Sequence, residues 1–331
     1  AVMEHLDADS FNAVERVLRA ESDVPLILSA LREKGCNALV LYLGNFGPEV
    51  PEALLIQRFE GPAMLAAAAE EDRAHLHEKR GDAYCGLLNA CCGLSLYGRR
   101  VYLPAKPVGL PGEVALEVLR FLPVARAQLG LQSLKIITFG PRPDEFVACN
   151  APIQPLYTLG VAIQENSELD LYASFLDHAG DGRIDAVVAD MLAETNPQPD
   201  MRGILPKLAQ YELTLLDWAD RNRGAFSYLC MANKCWPAFE RFFGFVPCYV
   251  NSRMAGRLLP VACEVDSYGA LSEFILCCVA QRPATLLDIN NTVPPDLYAA
   301  DIKGLQTYRP EDLFMGFHCG NTCSSCMKNC S

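Results

Sequence analysis

The sequence predicts an α/β protein of two doubly wound, Rossmann/flavodoxin-like parallel-sheet domains. Three observations lead there. Short apolar runs alternate with longer segments of helical period, the pattern of a parallel sheet covered by helices. That pattern restarts near residue 150, so the first domain spans 1–155 and the second 156–300. With 331 residues, 51% of them hydrophobic, the chain can bury two separate cores.

Taken in order, "SDVPLILSALREKG" (22–35) predicts a helix stopped by Gly35, and "NALVLYLGNFGPE" (37–49) a strand entering a Gly-rich turn. "GPAMLAAAAEE" and "SLKIITFGPRP" predict further strands, separated by an amphipathic helix over 112–130. In the second half "ELDLYASFLDHAGD" predicts a helix, 183–192 part strand and part helix, and 204–224 a long amphipathic helix. "AFSYLCMA", "LLPVACEV" and "ATLLDIN" follow as strands, with "CWPAFERFFG" and "YGALSEFILCCVAQRP" as the helices between them. A last strand-like run over 312–320 carries His318.

Charge and hydropathy narrow the function. The net charge of −12, with Lys and Arg scattered, excludes nucleic acid and anionic membrane as partners and suits a small neutral metabolite such as a sugar. Mean hydropathy is +0.11, and no apolar stretch reaches the roughly 20 residues that span a bilayer. Acids stand in "AVMEHLDADSF" where a signal peptide has basic and apolar regions, so the expected location is cytoplasmic. Of the 15 cysteines, most lie in apolar or mixed segments, where the thiol packs as a small hydrophobe. Cys319, Cys323, Cys326 and Cys330 instead crowd the C-terminus.

The chemistry-bearing residues follow the late strands. In open α/β sheets, ligands bind beyond the carboxyl ends of the strands. Glu264 closes one predicted strand, Asp288 the next and His318 the one after. If those strands are neighbours, about 4.8 Å apart, the three side chains converge on one ion. Two carboxylates and an imidazole suit Mn²⁺ or another divalent metal with open positions for substrate. The alternative is structural: a strand-end acid often caps the next helix, and Asp266 before "SYGALSEF" stands at such a position.

"VACEVDSYGALSEFI", "LLDINNTVP" and "MGFHCGNT" together resemble the L-fucose/L-arabinose isomerase family. "GNFGPE", "GPRPDEF" and "NKCWPAFERFFGFVPCYVNSR" extend the resemblance over most of the chain. It implies a metal-dependent aldose–ketose isomerase working through an enediol, with Mn²⁺ as the usual cofactor. Glu264 and Asp288 match the family's metal ligands and proton-shuttling pair, and His318 is a third ligand or a substrate contact. A homo-oligomer with sites between subunits is implied too. The family carries a C-terminal β-rich domain, so residues 301–331 read as a linker and the start of a domain absent from this chain. The resemblance leaves L-fucose, D-arabinose and L-arabinose as candidate substrates.

Weaker candidates complete the set. Trp236 is placed to stack on a sugar ring or to fill core, and Arg142, pinned between prolines, is placed to reach a pocket or to stay on the surface. Asn290, beside Asp288, is a further candidate substrate contact. Two other classes remain open: a non-catalytic sugar-binding protein on the same fold, and a Cys-ligated metal or redox protein built on the C-terminal thiols. "DHAGDGRID" lacks the order of a calcium loop and reads as a turn.

Overall fold

The computed structural model describes residues 1–77, 80–195, 201–290, 292–302, 304, 308–318 and 322–326. They form two compact units, Ala1–Leu129 and Gly130–Ser331.

In the first unit, helix α1 (Val24–Glu33) carries a proline in its first turn, where a missing N–H costs nothing. Its stripe Val24, Ile27, Leu28 and Leu31 is buried at helical spacing. Strands β1 (Leu39–Leu43), β2 (Ala63–Ala68) and β3 (Val108–Gly109) pair in parallel in that order. Parallel neighbours require crossovers. Helix α2 (Glu49–Arg58) makes the first and α3 (Ala83–Leu96) the second. The central strand is buried on both faces. Leu65 and Ala67 pack among Leu28, Leu55 and Leu87, whereas Met64 and Ala66 pack under Val114, Val118 and Phe121 of α4 (Pro111–Leu131). Burial on both sides is what makes β2 a continuous apolar run.

The second unit holds β4 (Leu134–Gly140), α5 (Gln154–Thr158), β5 (Ala162–Ser167) and α6 (Glu168–Asp177). Helices α7 (Ile184–Glu194) and α8 (Leu205–Asn222) follow, then β6 (Tyr228–Ala232) and the short helix α9 (Phe239–Phe243). Helix α10 (Cys248–Gly256), β7 (Val261–Ala262) and α11 (Ser267–Ala280) complete the main layers. The sheet is parallel in the order β5-β4-β6-β7. Alternate residues serve opposite faces. Ile137, Phe139 and Met231 pack with Phe175, Tyr211 and Phe243, while Ile136, Cys230 and Ala262 pack with Ala270, Leu271 and Phe274 of α11. Both units thus match the doubly wound expectation.

Several elements differ from the sequence reading. Residues 184–192 are helical throughout, with Arg183 as the N-cap and no strand portion, because Ile184, Val187, Val188 and Met191 recur at helical spacing against the core. The predicted helix over 235–244 shrinks to α9. Strand β4 sits between β5 and β6, so residues 134–140 belong to the second unit's sheet rather than preceding a boundary near 155. Beyond α11, β8 (Asp288–Asn290) and β9 (Met315–Phe317) form a separate antiparallel ribbon that pairs Asp288 with Phe317. The expected succession of neighbouring parallel strands ending in Glu264, Asp288 and His318 is therefore corrected. Only the first of the three follows a strand of the main sheet.

The strand order fixes where a ligand can bind. From β4 the chain goes outward to β5, then returns to the other side of β4 as β6. The order therefore reverses between β4 and β6, the switch point beyond whose carboxyl ends open α/β sheets generally bind ligands. "GPRPDEF" and "NKCWPAF" are the loops after those two strands.

Candidate functional site

Three loops meet at the carboxyl edge of β4, β6 and β7. The loop after β6 is anchored by buried amides. Asn233 Nδ2 donates to the Tyr211 hydroxyl at 2.8 Å, and Asn233 and Asn251 exchange side-chain hydrogen bonds at 3.3 and 3.2 Å. The next residue, Lys234, is buried and pairs with Glu168 at 2.8 Å. Main-chain bonds tie this loop to the one after β7, from Asn233 N to Ala262 O at 3.0 Å and from Val265 N to Asn233 O at 2.9 Å.

Between those ties the backbone turns left-handed at two consecutive non-glycine residues, Glu264 (φ 56°) and Val265 (φ 58°). A β-branched residue in that region is strained, and such strain persists only where the surroundings impose it. The turn closes with Asp266 N donating to Cys263 O at 3.0 Å. Asp266 is then the N-cap of α11, accepting from Tyr268 N and Gly269 N at 3.1 and 2.9 Å. The capping role thus falls to Asp266 and leaves Glu264 for other work.

Glu264 is half-buried, and desolvation raises its pKa. The thiol of Cys263 and the nearby His318 pull the value back, whereas Cys235 and Asp288 push it further up. Glu264, Asp288 and His318 therefore share one electrostatic neighbourhood, although Asp288 opens a strand instead of closing one. Residues 284–287 do not join a ladder. They are pinned to α11, where Glu273 accepts from Leu286 N and Cys277 from Ala284 N. Asp288 is exposed and His318 half-buried at the end of β9.

The weaker candidates have local partners. Trp236 lies in the turn before α9, half-buried, with Phe146 edge-on to it at 5.8 Å. Arg142 donates to the carbonyls of Pro143 and Asp144 at 2.9 and 3.0 Å and so braces its own loop. It also lies within electrostatic reach of Cys149, as do Glu264 and Asp266. Asn290 accepts from Thr292 N and Oγ1 at 3.1 and 2.7 Å, which forms an exposed turn.

The sequence reading treated the cysteines around Glu264 as core, and here it missed a cluster. Cys235 follows β6, Cys248 opens α10 and Cys263 follows β7. The Cys263 and Cys235 sulfurs are 3.7 Å apart, and Cys235, Cys263 and Glu264 each place a donor atom within 4.8 Å of the others. Thiol donation from Cys248 and Cys263 holds Cys235 well below the ordinary thiol range, while the bond to Cys235 and burial push Cys263 up.

Two other clusters are saturated. Arg253 donates to Glu212 and Asp190 at 2.6 Å each and also pairs with Glu194. Glu212, fully buried, is bound again by Arg257 at 2.7 Å. Asp190, Glu194, Arg253 and Arg257, with Cys323, line a cleft of about 450 Å³ whose lining includes neither Glu264, Asp288 and His318 nor Trp236, Asn290 and Arg142. In the second cluster, His178 Nε2 lies 3.0 Å from Asp217, and Arg183 bridges Asp217 and Asp181. Of the C-terminal thiols, Cys323 is buried where Gly256 leaves room, since a Cβ there would lie 3.1 Å from its sulfur. Cys326 is exposed, and Cys319 and Cys330 lie outside the described residues.

Residues 2–132 match the family described as fucose/sulfoquinovose isomerase, N-terminal domain. A sulfoquinovose isomerase from Clostridium sp. (strain MSTE9) is 28% identical over 175 residues, covering 50% of this chain. The matched region spans 37% of that relative's length.

Proposed function

We propose that this chain, which fits the fucose isomerase-like family, is a metal-dependent aldose–ketose isomerase. The observation that carries this reading is Glu264: a half-buried carboxylate on strained backbone at the carboxyl edge of the sheet, with Asp288 and His318 in its field. Two carboxylates and an imidazole fit Mn²⁺ or another divalent ion, because a cation relieves both the desolvation of Glu264 and its repulsion by Asp288. When bound there, such an ion supplies Lewis-acid polarisation of the sugar's carbonyl and hydroxyl oxygens.

The side chains do the rest. Glu264 and Asp288 divide the proton traffic of the open-chain sugar. One carboxylate removes the C2 proton while the other protonates O1, giving an enediol; the first then delivers a proton to C1 as the second takes the proton from O2, giving the ketose. The tie between Asn233 and Val265 holds Glu264 in place, and the pinned segment 284–287 delivers Asp288. His318 is the third metal ligand, and Trp236, Asn290 and Arg142 are substrate contacts at the rim. L-Fucose, D-arabinose and L-arabinose are the substrates the motifs suggest, and the name of the Clostridium relative adds sulfoquinovose. The proposal includes a cytoplasmic location and a homo-oligomer.

The test is to incubate metal-stripped protein with each of the four sugars in D₂O, with and without Mn²⁺, and follow the ketose by NMR. Mn²⁺-dependent ketose with deuterium incorporated is expected. Absence of ketose from every sugar with Mn²⁺ present would overturn the assignment for this chain.

A further inference from the structure

We propose that Cys235, Cys248 and Cys263, with the carboxylate of Glu264, form a thiolate site for a soft divalent ion, Zn²⁺ in particular. This site is distinct in its donors from the all-oxygen-and-imidazole set of Glu264, Asp288 and His318.

The sulfur spacing carries the inference. A tetrahedral Zn²⁺ with Zn–S bonds near 2.3 Å separates its sulfur ligands by about 3.8 Å. The Cys235 and Cys263 sulfurs already stand 3.7 Å apart, far wider than a disulfide bond of about 2.05 Å. An oxygen of Glu264 lies within 4.8 Å of both sulfurs, and Cys248, outside that triad, donates its thiol to Cys235. Three separate elements deliver these groups: the loop after β6, the first turn of α10 and the loop after β7. The main-chain bonds between Asn233 and both Ala262 and Val265 fix the first and third of them. The triad of Cys235, Cys263 and Glu264 is thus preset for an ion, with Cys248 the fourth donor that binding draws in.

Donor chemistry decides which ion. Thiolates favour Zn²⁺, whereas carboxylate and imidazole alone serve Mn²⁺ as well. Cys235 and Glu264 are both half-buried, so the cluster is open to solvent on one side. Binding deprotonates the thiols and releases their protons to solvent. Because Glu264 belongs to both sets, Zn²⁺ held by sulfur takes the carboxylate away from the isomerase centre. That inhibitory consequence rests on the proposed function; the binding itself does not.

The experiment is a Co²⁺ titration of the reduced protein, read by absorption. Co²⁺ on thiolates gives an intense sulfur-to-metal charge-transfer band that oxygen and nitrogen ligands do not give. The expected result is such a band, displaced by added Zn²⁺ but not by Mn²⁺. It should be lost in Cys235→Ser and Cys263→Ser, and kept in Asp288→Asn. A variant with Cys319, Cys323, Cys326 and Cys330 all changed to Ser should keep it too, which separates this cluster from the C-terminal thiols. Circular dichroism verifies that each serine variant is folded, and the second serine variant serves if the first is not. Absence of the band from the reduced wild type, or its survival in a folded Cys235→Ser or Cys263→Ser protein, would overturn the proposal. A failed sugar assay leaves this readout untouched. Conversely, Zn²⁺ inhibition that persists in a folded Cys263→Ser enzyme would remove the inhibitory link.

Discussion

Two of the places where the second unit gathers carboxylates, around Arg253 and around Glu264, are treated in opposite ways. In the first, Asp190, Glu194 and Glu212 all face Arg253, and the deepest of them, Glu212, has Arg257 as well. In the second, Glu264 has an imidazole and a thiol for company but no guanidinium, and another carboxylate stands in its field. One cluster is electrostatically complete. The other is left with a net demand for positive charge. A completed charge network is costly to break but needs no further ion, whereas an incomplete one at the carboxyl edge of the sheet is where an ion or substrate is expected to bind. The backbone differs too: two consecutive residues, Glu264 and Val265, are left-handed at the incomplete cluster, whereas the Arg253 cluster has the single left-handed Leu258 after Arg257.

That contrast can be broken from either side. The largest effect should come from Glu264→Gln, which keeps the shape and removes the base. Isomerase activity should fall by a factor on the order of 10³, with stability unchanged or improved because a desolvated charge is gone. Turnover assays beside thermal melts distinguish this from simple unfolding. Arg253→Met should do the reverse. It strands the buried Glu212 with a single partner and should cost about 3 to 5 kcal/mol in denaturant titrations, while the folded fraction keeps its turnover.

Glu273 is the intermediate case that sharpens the contrast. It is 2% exposed, one oxygen accepts from Leu286 N, and the other, Oε2, has no hydrogen-bond partner. Burial raises its pKa from 4.5 to about 8. The folded state thus keeps a proton that the unfolded state releases near pH 4.5. Stability from this group is complete at low pH and declines as pH rises through about 8. Glu273→Gln keeps the acceptor for Leu286 N and removes the ionisation. It should leave stability unchanged at pH 4.5 and raise it above pH 8 by on the order of 3 kcal/mol, read from melts across that window. The smallest effect is expected at the more exposed saturated cluster. Asp217→Asn, which weakens the links to His178 and Arg183, should cost about 1 kcal/mol, and less in high salt.

The long elements were legible in the sequence because each is buried on a face or stripe whose period shows. The buried stripe of α1, the mostly buried β2 and β4, and the amphipathic α8 all fall where the pattern put them. Strand β5 did not show. It is an edge strand whose Gln164, Glu165 and Asn166 carry no apolar signal, so only its ladder with β4 identifies it. Asp288 was legible as a residue but not as an element. Its approach segment is held by the side chains of Glu273 and Cys277, and no periodicity encodes such a tether. Cys235, Cys248 and Cys263 each sit in an apolar segment and read singly as filler. Their meeting depends on β6 and β7 being neighbours, a fact of strand order that local sequence does not carry. Arg253 gave a fainter clue, a lone cation in the "YVNSR" stretch whose three acidic partners lie 41 to 63 residues earlier.

The central claim, that the incomplete cluster holds the metal and the complete one does not, is tested most directly by Mn²⁺ titration followed by electron paramagnetic resonance. Wild type, Glu264→Gln and Asp190→Asn would be compared at equal concentration. The expected result is Mn²⁺ bound by the wild type and by Asp190→Asn, with binding lost in Glu264→Gln. Equal binding by Glu264→Gln and wild type, or loss in Asp190→Asn alone, would contradict it.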